Sequence, residues 1–179
     1  MRQRWSAGGW RWLALAGGGC QGAGGALGGD LRETLRQLRR KGPMSDAKDV
    51  ILKHIAAMNA HDEDADPWAS DAEMLAPGAG ASGRDNVLAF LGVFHEAFPD
   101  LRLEIKQLLG DGSAAAAEGI LAGTHDGVLH TPNGDVAPTG RAVELRWSAV
   151  YSTDGDTLKS EHLFFDQMDF LGQLGLLPS

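Results

Sequence analysis

Two ionisable residues close to the carboxyl end of the chain, His162 and Asp166, have the types and spacing for acid–base chemistry. With Phe164 between them they alternate along a predicted strand, so all three side chains would lie on one face of a sheet. An apolar surface destabilises the charged form of a carboxyl group and raises its pKa toward the range useful for proton transfer. Asp166 is therefore a candidate general acid or base, and neutral His162 could pass a proton or donate to a developing oxyanion.

The spacing of His162 and Asp166 limits the mechanism. At roughly 3.3 Å per residue the two positions would be about 13 Å apart, so they could only act on two ends of one substrate. Both residues also have structural interpretations. An aspartate that ends a strand just before a helix is often only the N-cap of that helix, and His162 could be a core or rim histidine.

Further residues are candidates for contacts with a substrate. Trp147 and Tyr151 alternate along the preceding strand and are expected on the same apolar face as Phe164. His125 ends a strand at the start of a long loop, where it could lie on the rim of a pocket. Asn59, at the end of the first predicted helix, would have to reach inside.

The elements that must position these residues are predicted from periodicity. Apolar residues recur at helical spacing over 46–60 and 84–97, and they alternate with polar residues along later segments. Helices first and an antiparallel meander afterwards indicate an α+β domain. The remaining predicted elements are a short helix over 64–71, a short strand or turn over 73–75, a loop over 77–83, strands over 101–106, 114–125, 143–151 and 157–166, a long loop over 127–140, and a closing helix over 170–177.

The dipeptide Asp154-Gly155 is a strong signal for a two-residue hairpin loop. With that dipeptide at the tip, Trp147 would pair with His162, and Val143 would pair with Asp166. Glu161 would then lie on the opposite face of the sheet. A slip of one residue would exchange the two sets of side chains.

Charge divides the chain near Pro43. Residues 1–43 carry eight Lys and Arg against two Asp and Glu, whereas residues 44–179 carry eight against twenty-two. The acidic body argues against a nucleic-acid surface, which needs clustered basic residues. Its lack of cysteine excludes a disulfide framework and Cys-ligated metal, and no His, Asp or Glu spacing indicates a metal or nucleotide cofactor. We expect no cofactor, no metal and no membrane contact, and we take the cytoplasm as the default compartment.

The glycine-rich segment 1–43 is expected to be a disordered extension without function of its own. Its apolar run is too short for an export signal. Met44 is a candidate for the true translation start, so the functional domain is predicted to span 44–179.

Five segments of the body, in this order and spacing, resemble the SnoaL-like polyketide cyclases, also called ester cyclases, of the nuclear-transport-factor-two-like superfamily. The segments are Met58-Asn59-Ala60-His61-Asp62, Phe98-Pro99-Asp100-Leu101, Gly123-Thr124-His125-Asp126-Gly127, Pro138-Thr139-Gly140-Arg141, and Phe165-Asp166 followed by Gln173-Leu174-Gly175-Leu176.

The resemblance implies a conical α+β barrel, in which a curved, mixed or antiparallel sheet wraps around helices and encloses an apolar pocket. It also implies a homodimer formed through the sheet. Relatives close a polyketide ring by intramolecular aldol condensation without a cofactor, using an aspartate and a histidine. By motif, those roles pass to Asp166 first and His162 second. The glycine- and alanine-rich stretch 77–82 departs from the family, because an extended strand usually lies there.

Three functions remain open on the sequence. The first is a cyclase or isomerase that removes a proton next to a carbonyl of a small apolar or polyketide-like molecule. The second is a hydrolase of the epoxide type, in which Asp166 activates water. The third is a binding protein whose pocket holds an apolar ligand without chemistry.

Overall fold

The computed structural model describes residues 46–131 and 134–177. The prediction for the extension 1–43 and its boundary with the body falls outside these residues. Within the described ranges, no helix is long and apolar enough to cross a membrane.

Three helices form within the described ranges, and two of them begin at an aspartate whose side chain caps the first turn. Helix α1, Ala47–Ala60, begins at Asp46, whose carboxylate accepts from the Lys48 amide, and ends at His61 in the left-handed conformation. The other two helices are α2, Arg84–Ala97, and α3, Gln167–Leu174. The predicted helices over 46–60 and 84–97 are thus confirmed. The closing helix begins three residues earlier than predicted.

The main sheet has six strands in the order β2-β1-β8-β7-β4-β3. Only the β1–β8 pair is parallel, so the sheet is mixed. The sheet is open, with β2 and β3 at its edges, and a two-stranded hairpin of β5 and β6 lies outside it. The strands are β1 Trp68–Ala76, β2 Ala79–Ser82, β3 Arg102–Asp111, β4 Ala114–Thr124, β5 Leu129–Thr131, β6 Gly134–Val136, β7 Ala142–Asp154 and β8 Thr157–Phe165.

Two predictions near the start of the sheet are wrong. The short helix expected over 64–71 is absent, because the chain turns over 63–66 and Trp68 already begins β1. The alternation of β1 was obscured because its register against β8 shifts between Trp68 and Glu73. The loop expected over 77–83 contains β2, which pairs with β1 and supplies the extended segment of the family pattern.

One face of the sheet forms the core together with the helices. Helix α1 packs across β3, β4, β7 and β8, and α2 packs against β1 and β2. Gly119 on β4 has no side chain, which lets β4 approach β3 closely. A Cβ at this position would lie 1.9 Å from the Glu104 carbonyl oxygen on β3. The buried side of β7 consists of alternate residues, as predicted: Val143, Leu145, Trp147, Ala149 and Tyr151.

The register of β8 against β7 differs from the prediction, and this difference decides which residues enter the core. The turn lies one residue later than expected, so Asp154 pairs with Thr157, and Trp147 pairs with Phe165. Moving the turn shifts each partner by two residues, which leaves the faces unchanged. A bulge at Lys159 adds one more residue to β8, and this odd shift exchanges its two faces.

Candidate active site

An apolar cavity of about 60 Å³ lies between the helices and the inner face of the sheet. Its lining comes from all three helices and from strands β1, β3, β4, β7 and β8. Most of the lining side chains are aliphatic or aromatic. The side chains in the lining that carry polar atoms are His54, Trp147, Tyr151 and Glu161.

Glu161 is the carboxylate of this cavity. It lies on β8 opposite Tyr151 of β7, and the bulge at Lys159 turns it inward together with Leu163 and Phe165. The side chain is buried, with 4% of the residue exposed, and its Oε2 atom has no hydrogen-bond partner among the described residues. Burial raises the pKa of Glu161 above that of an ordinary glutamate, since the charged form loses its hydration.

His54 approaches Glu161 from α1. The helical stripe of Val50, Ile51, Ile55 and Met58 faces the core, and position 54 lies within it. The His54 Nδ1 atom lies 2.8 Å from Asp66 Oδ1, and its Nε2 atom lies 3.6 Å from Glu161 Oε2.

The ion pair of His54 and Asp66 is almost completely withdrawn from solvent. His54 is 2% exposed and Asp66 4%. Burial by itself lowers the pKa of His54, but the hydrogen bond and charge of Asp66 outweigh it, and with the charge of Glu161 they raise that pKa above its ordinary value. Asp66 therefore keeps the imidazolium form available inside the core.

The directions of the two pKa shifts bear on the protonation of the buried cluster formed by His54, Asp66 and Glu161. A raised pKa favours the protonated form both of His54 and of Glu161. When His54 and Glu161 both carry their protons, the positive charge of His54 is balanced by the negative charge of Asp66. A buried cluster with balanced charge avoids the large desolvation cost of an isolated ion.

Two hydrogen-bond donors complete the polar side of the cavity. Tyr151 Oη and Trp147 Nε1 are buried; Trp147 Nε1 has no partner among the described residues, and Tyr151 Oη approaches only the Glu161 carboxyl group. Burial raises the pKa of Tyr151, and the nearby Glu161 raises it further, so the phenol stays protonated. Buried donors are normally paired. Donors without a partner on the wall of a cavity are therefore suited to a ligand oxygen.

Comparison with known proteins identifies the family. The family profile described as SnoaL-like polyketide cyclase matches residues 48–174. The chain belongs to the SnoaL-like polyketide cyclase family. Among curated proteins, none matches the chain.

Solved structures share the fold of this SnoaL-like protein. AclR from Streptomyces galilaeus, described as a candidate hydroxylase, is 23% identical with a TM-score of 0.63, over 76% of this chain and 89% of its own. A candidate SnoaL-like polyketide cyclase from Jannaschia sp. CCS1 is 16% identical with a TM-score of 0.66, over 77% and 98%. IdmH from Streptomyces antibioticus, a candidate polyketide cyclase, is 22% identical with a TM-score of 0.60, over 72% and 98%. At these identities the likeness concerns the fold.

Two of the predicted site residues of this SnoaL-like protein, Trp147 and Tyr151, lie in the cavity lining. The prediction that His162, Phe164 and Asp166 lie on the same face as Trp147 and Tyr151 is wrong. His162 and Phe164 are exposed on the outer face of the sheet, because the bulge in β8 reverses its two sides.

Asp166 lies at the first position after β8 and is exposed. Its carboxylate accepts hydrogen bonds from the Met168 and Asp169 amides, at 2.8 and 3.1 Å. The N-cap interpretation therefore describes its geometry, and the interpretation as an acid inside the pocket does not.

His125 and Asn59 are also placed away from the cavity lining. His125 is fully buried, its Nδ1 lies 3.1 Å from Thr139 Oγ1, and its ring packs on Phe98. The Asn59 side-chain amide bonds both backbone groups of Leu103, at 2.9 and 2.7 Å, and so ties α1 to β3. The side-chain contacts of His125 and Asn59 therefore connect parts of the fold and do not face the cavity.

Sequence reasoning missed the three residues that form the buried cluster. His54 is not among the candidate residues predicted from the sequence, although an imidazole inside an apolar stripe needs a buried partner. Asp66 falls in the segment predicted as a short helix over 64–71, and Glu161 is predicted on the outer face. The one available signal was His54 on its stripe, because a buried histidine predicts a carboxylate or carbonyl nearby.

Proposed function

We propose that this SnoaL-like protein is a small-molecule enzyme that moves a proton by cofactor-independent acid–base chemistry, of the aldol-cyclase or isomerase type. The observation that carries the proposal is the Glu161 carboxyl group, which is buried in an apolar cavity, makes no hydrogen bond through Oε2 within the described residues, and has His54 Nε2 3.6 Å from that atom. A carboxyl with a raised pKa is a stronger base when ionised and a usable acid when neutral.

In the proposed reaction, the ionised form of Glu161 removes a proton from a carbon next to a carbonyl group. The electron pair of the broken C–H bond moves onto the carbonyl oxygen, and the resulting enolate accepts a hydrogen bond from Tyr151, which lies opposite Glu161 on the neighbouring strand. In an isomerisation, the carboxylic acid returns the proton to another carbon. In a ring closure, the enolate carbon attacks a second carbonyl, and the proton goes to the new alkoxide.

Asp66 supports this cycle without lining the cavity, and His54 supports it from the cavity wall. A positive charge at His54 stabilises Glu161 when it is ionised, and Asp66 keeps that charge in place. The proposed ligand is a small, apolar or polyketide-like carbonyl compound, because the donors and the carboxyl group are surrounded by apolar side chains. TerC, a structural neighbour at 15% identity, was co-crystallised with polyporic acid.

Exchange of carbon-bound hydrogen tests the proposal without knowledge of the natural substrate. We expect dialysed protein in D₂O to accelerate deuterium incorporation next to the carbonyl of cyclopent-2-enone or acetophenone, measured by NMR against buffer alone. Asp166→Asn is the control and should retain the full rate, since asparagine also caps helices. Exchange at the buffer rate with both ketones, or its loss in Asp166→Asn, would contradict the assignment. Transfer of ¹⁸O from labelled water to an epoxide, without exchange, would support the hydrolase instead.

We also propose that two copies associate through the outer face of the sheet. Leu109, Val150 and Phe164 are each more than half exposed there, and Leu109 and Val150 flank the small Ala116 in one row across three strands. We expect wild-type protein to sediment as a dimer and the pair Val150→Glu with Phe164→Glu to sediment as a monomer. Leu52→Glu, on the exposed side of α1, is the matched control and should leave the dimer intact. A monomeric wild type would contradict the proposal.

A further inference from the structure

The cavity is small for the compounds that its chemistry suits. Its volume is about 60 Å³, whereas an apolar protein cavity of about 150 Å³ is known to hold a single benzene ring. A ring compound can therefore reach Glu161 only if part of the cavity wall moves or if a lining side chain is shortened by substitution.

The walls differ in how firmly they are held. Strands β7 and β8 are fixed by hydrogen bonds to neighbours on both sides. Helices α1 and α2 have fourteen residues each and bury several side chains. Helix α3 has eight residues and buries only Phe170 and Leu174. A short element with few buried contacts is the part of a fold that opens at lowest cost.

Few polar contacts hold α3 against the sheet. The Gln173 side chain bonds both backbone groups of Glu144 on β7, at 2.8 and 3.0 Å. The Gln167 side chain donates to the Pro77 carbonyl oxygen at 2.8 Å. The helix begins at the exposed cap Asp166 and ends at Gly175, which has a positive φ of 72°. Both ends are thus places where the backbone direction can change.

Phe170 is the residue of α3 that enters the cavity lining. Its ring lies 6.0 Å from the rings of Phe98 and Phe165, so it fills space between the helices and the end of β8. Removal of this ring would join the space that it occupies to the existing cavity.

We propose that α3 is the movable wall of the cavity and that Phe170 determines the size of the ligand admitted. A single-ring ketone enters with a small displacement of α3, whereas a fused-ring ketone must push the helix aside. This inference rests on the proposed function for the choice of ketones as ligands. Its test measures binding and not turnover, so the failure of one is distinguishable from the failure of the other.

The experiment compares dissociation constants for acetophenone and 2-acetylnaphthalene, measured by isothermal titration and by fluorescence of the cavity tryptophan, Trp147. Wild type should bind the single-ring ketone more tightly than the fused-ring ketone. Phe170→Ala should tighten binding of 2-acetylnaphthalene at least about tenfold, and Phe170→Leu, which keeps more of the packing, should act in the same direction. Met168→Ala is the matched control, because it removes a large apolar side chain of the same helix that is exposed and does not line the cavity.

A second measurement addresses the movement itself. Hydrogen exchange should show the amides of α3 less protected than those of α1, and Gln173→Ala should lower the protection of α3 alone. The proposal is overturned if the Phe170 variants bind 2-acetylnaphthalene no better than Met168→Ala does. It is also overturned if α3 is protected as strongly as α1.

Discussion

Asp66→Ala is expected to lower the free energy of unfolding by about 3–5 kcal/mol, the usual cost of removing one partner of a buried ion pair. The substitution leaves His54 with no acceptor for its Nδ1 proton at a position that is 2% exposed. It also removes the negative charge that balances the imidazolium within the cluster. The loss is measured by urea unfolding near pH 6.

The control for Asp66→Ala is Asp71→Ala, which removes a carboxylate paired with Lys159 at the surface. The exposed pair should contribute less than about 1 kcal/mol. The pH dependence of the stability deficit in Asp66→Ala distinguishes the loss of the charge interaction from the loss of packing. A histidine whose folded pKa is raised adds stability at pH values below its unfolded pKa of about 6.5, and that stability is lost as the pH rises through the folded value. The deficit of Asp66→Ala should therefore shrink above neutral pH, and a deficit independent of pH would contradict the ion pair.

Glu161→Gln is expected to lower the rate of ketone hydrogen exchange by about 10²- to 10⁴-fold, the usual contribution of a positioned acid or base. Glutamine has the same shape but can neither take nor return the proton. Binding of acetophenone should change little, so the loss would fall on the chemical step. Glu73→Gln, on an exposed position of β1, is the matched control and should keep the full rate. An unchanged rate in Glu161→Gln would remove Glu161 from the mechanism.

The same variant has an expected signature in stability. Because the folded pKa of Glu161 is raised, the folded state holds a proton that the unfolded state releases above about pH 4.3. The wild type therefore loses stability as the pH rises through the window between the two values. Glu161→Gln should lack this loss and should be at least as stable as the wild type near pH 8. Parallel stability curves for the two proteins would contradict the raised pKa.

The sequence predicts correctly which side chains of β7 face the cavity, but it predicts the wrong face for β8. Trp147 and Tyr151 could be placed because β7 alternates without interruption over its whole length. The next strand offers an ionisable residue and a large apolar residue on either side, with His162 and Phe164 against Glu161 and Leu163. The bulge at Lys159 determines which of the two sets faces the cavity, and a one-residue bulge has no recognisable signal in the sequence.

The buried cluster was hidden for a different reason. His54 and Asp66 are separated by twelve positions and a turn, and Glu161 follows ninety-five positions after Asp66. Periodicity describes which side of an element a residue occupies, but it does not describe which elements meet. The two long helices, by contrast, are predicted with nearly correct bounds, since their apolar stripes are local features.

The parallel pairing of β1 with β8 has a consequence for how the protein is made. The hairpin of β1 and β2 joins the rest of the sheet only through β8, which lies between β1 and β7. A nascent chain on the ribosome therefore cannot complete its sheet until its last strand has been synthesised, and contacts so distant along the chain form slowly. Until then the edge of β1 that pairs with β8 has backbone groups without a strand partner, and such an edge can pair with another chain.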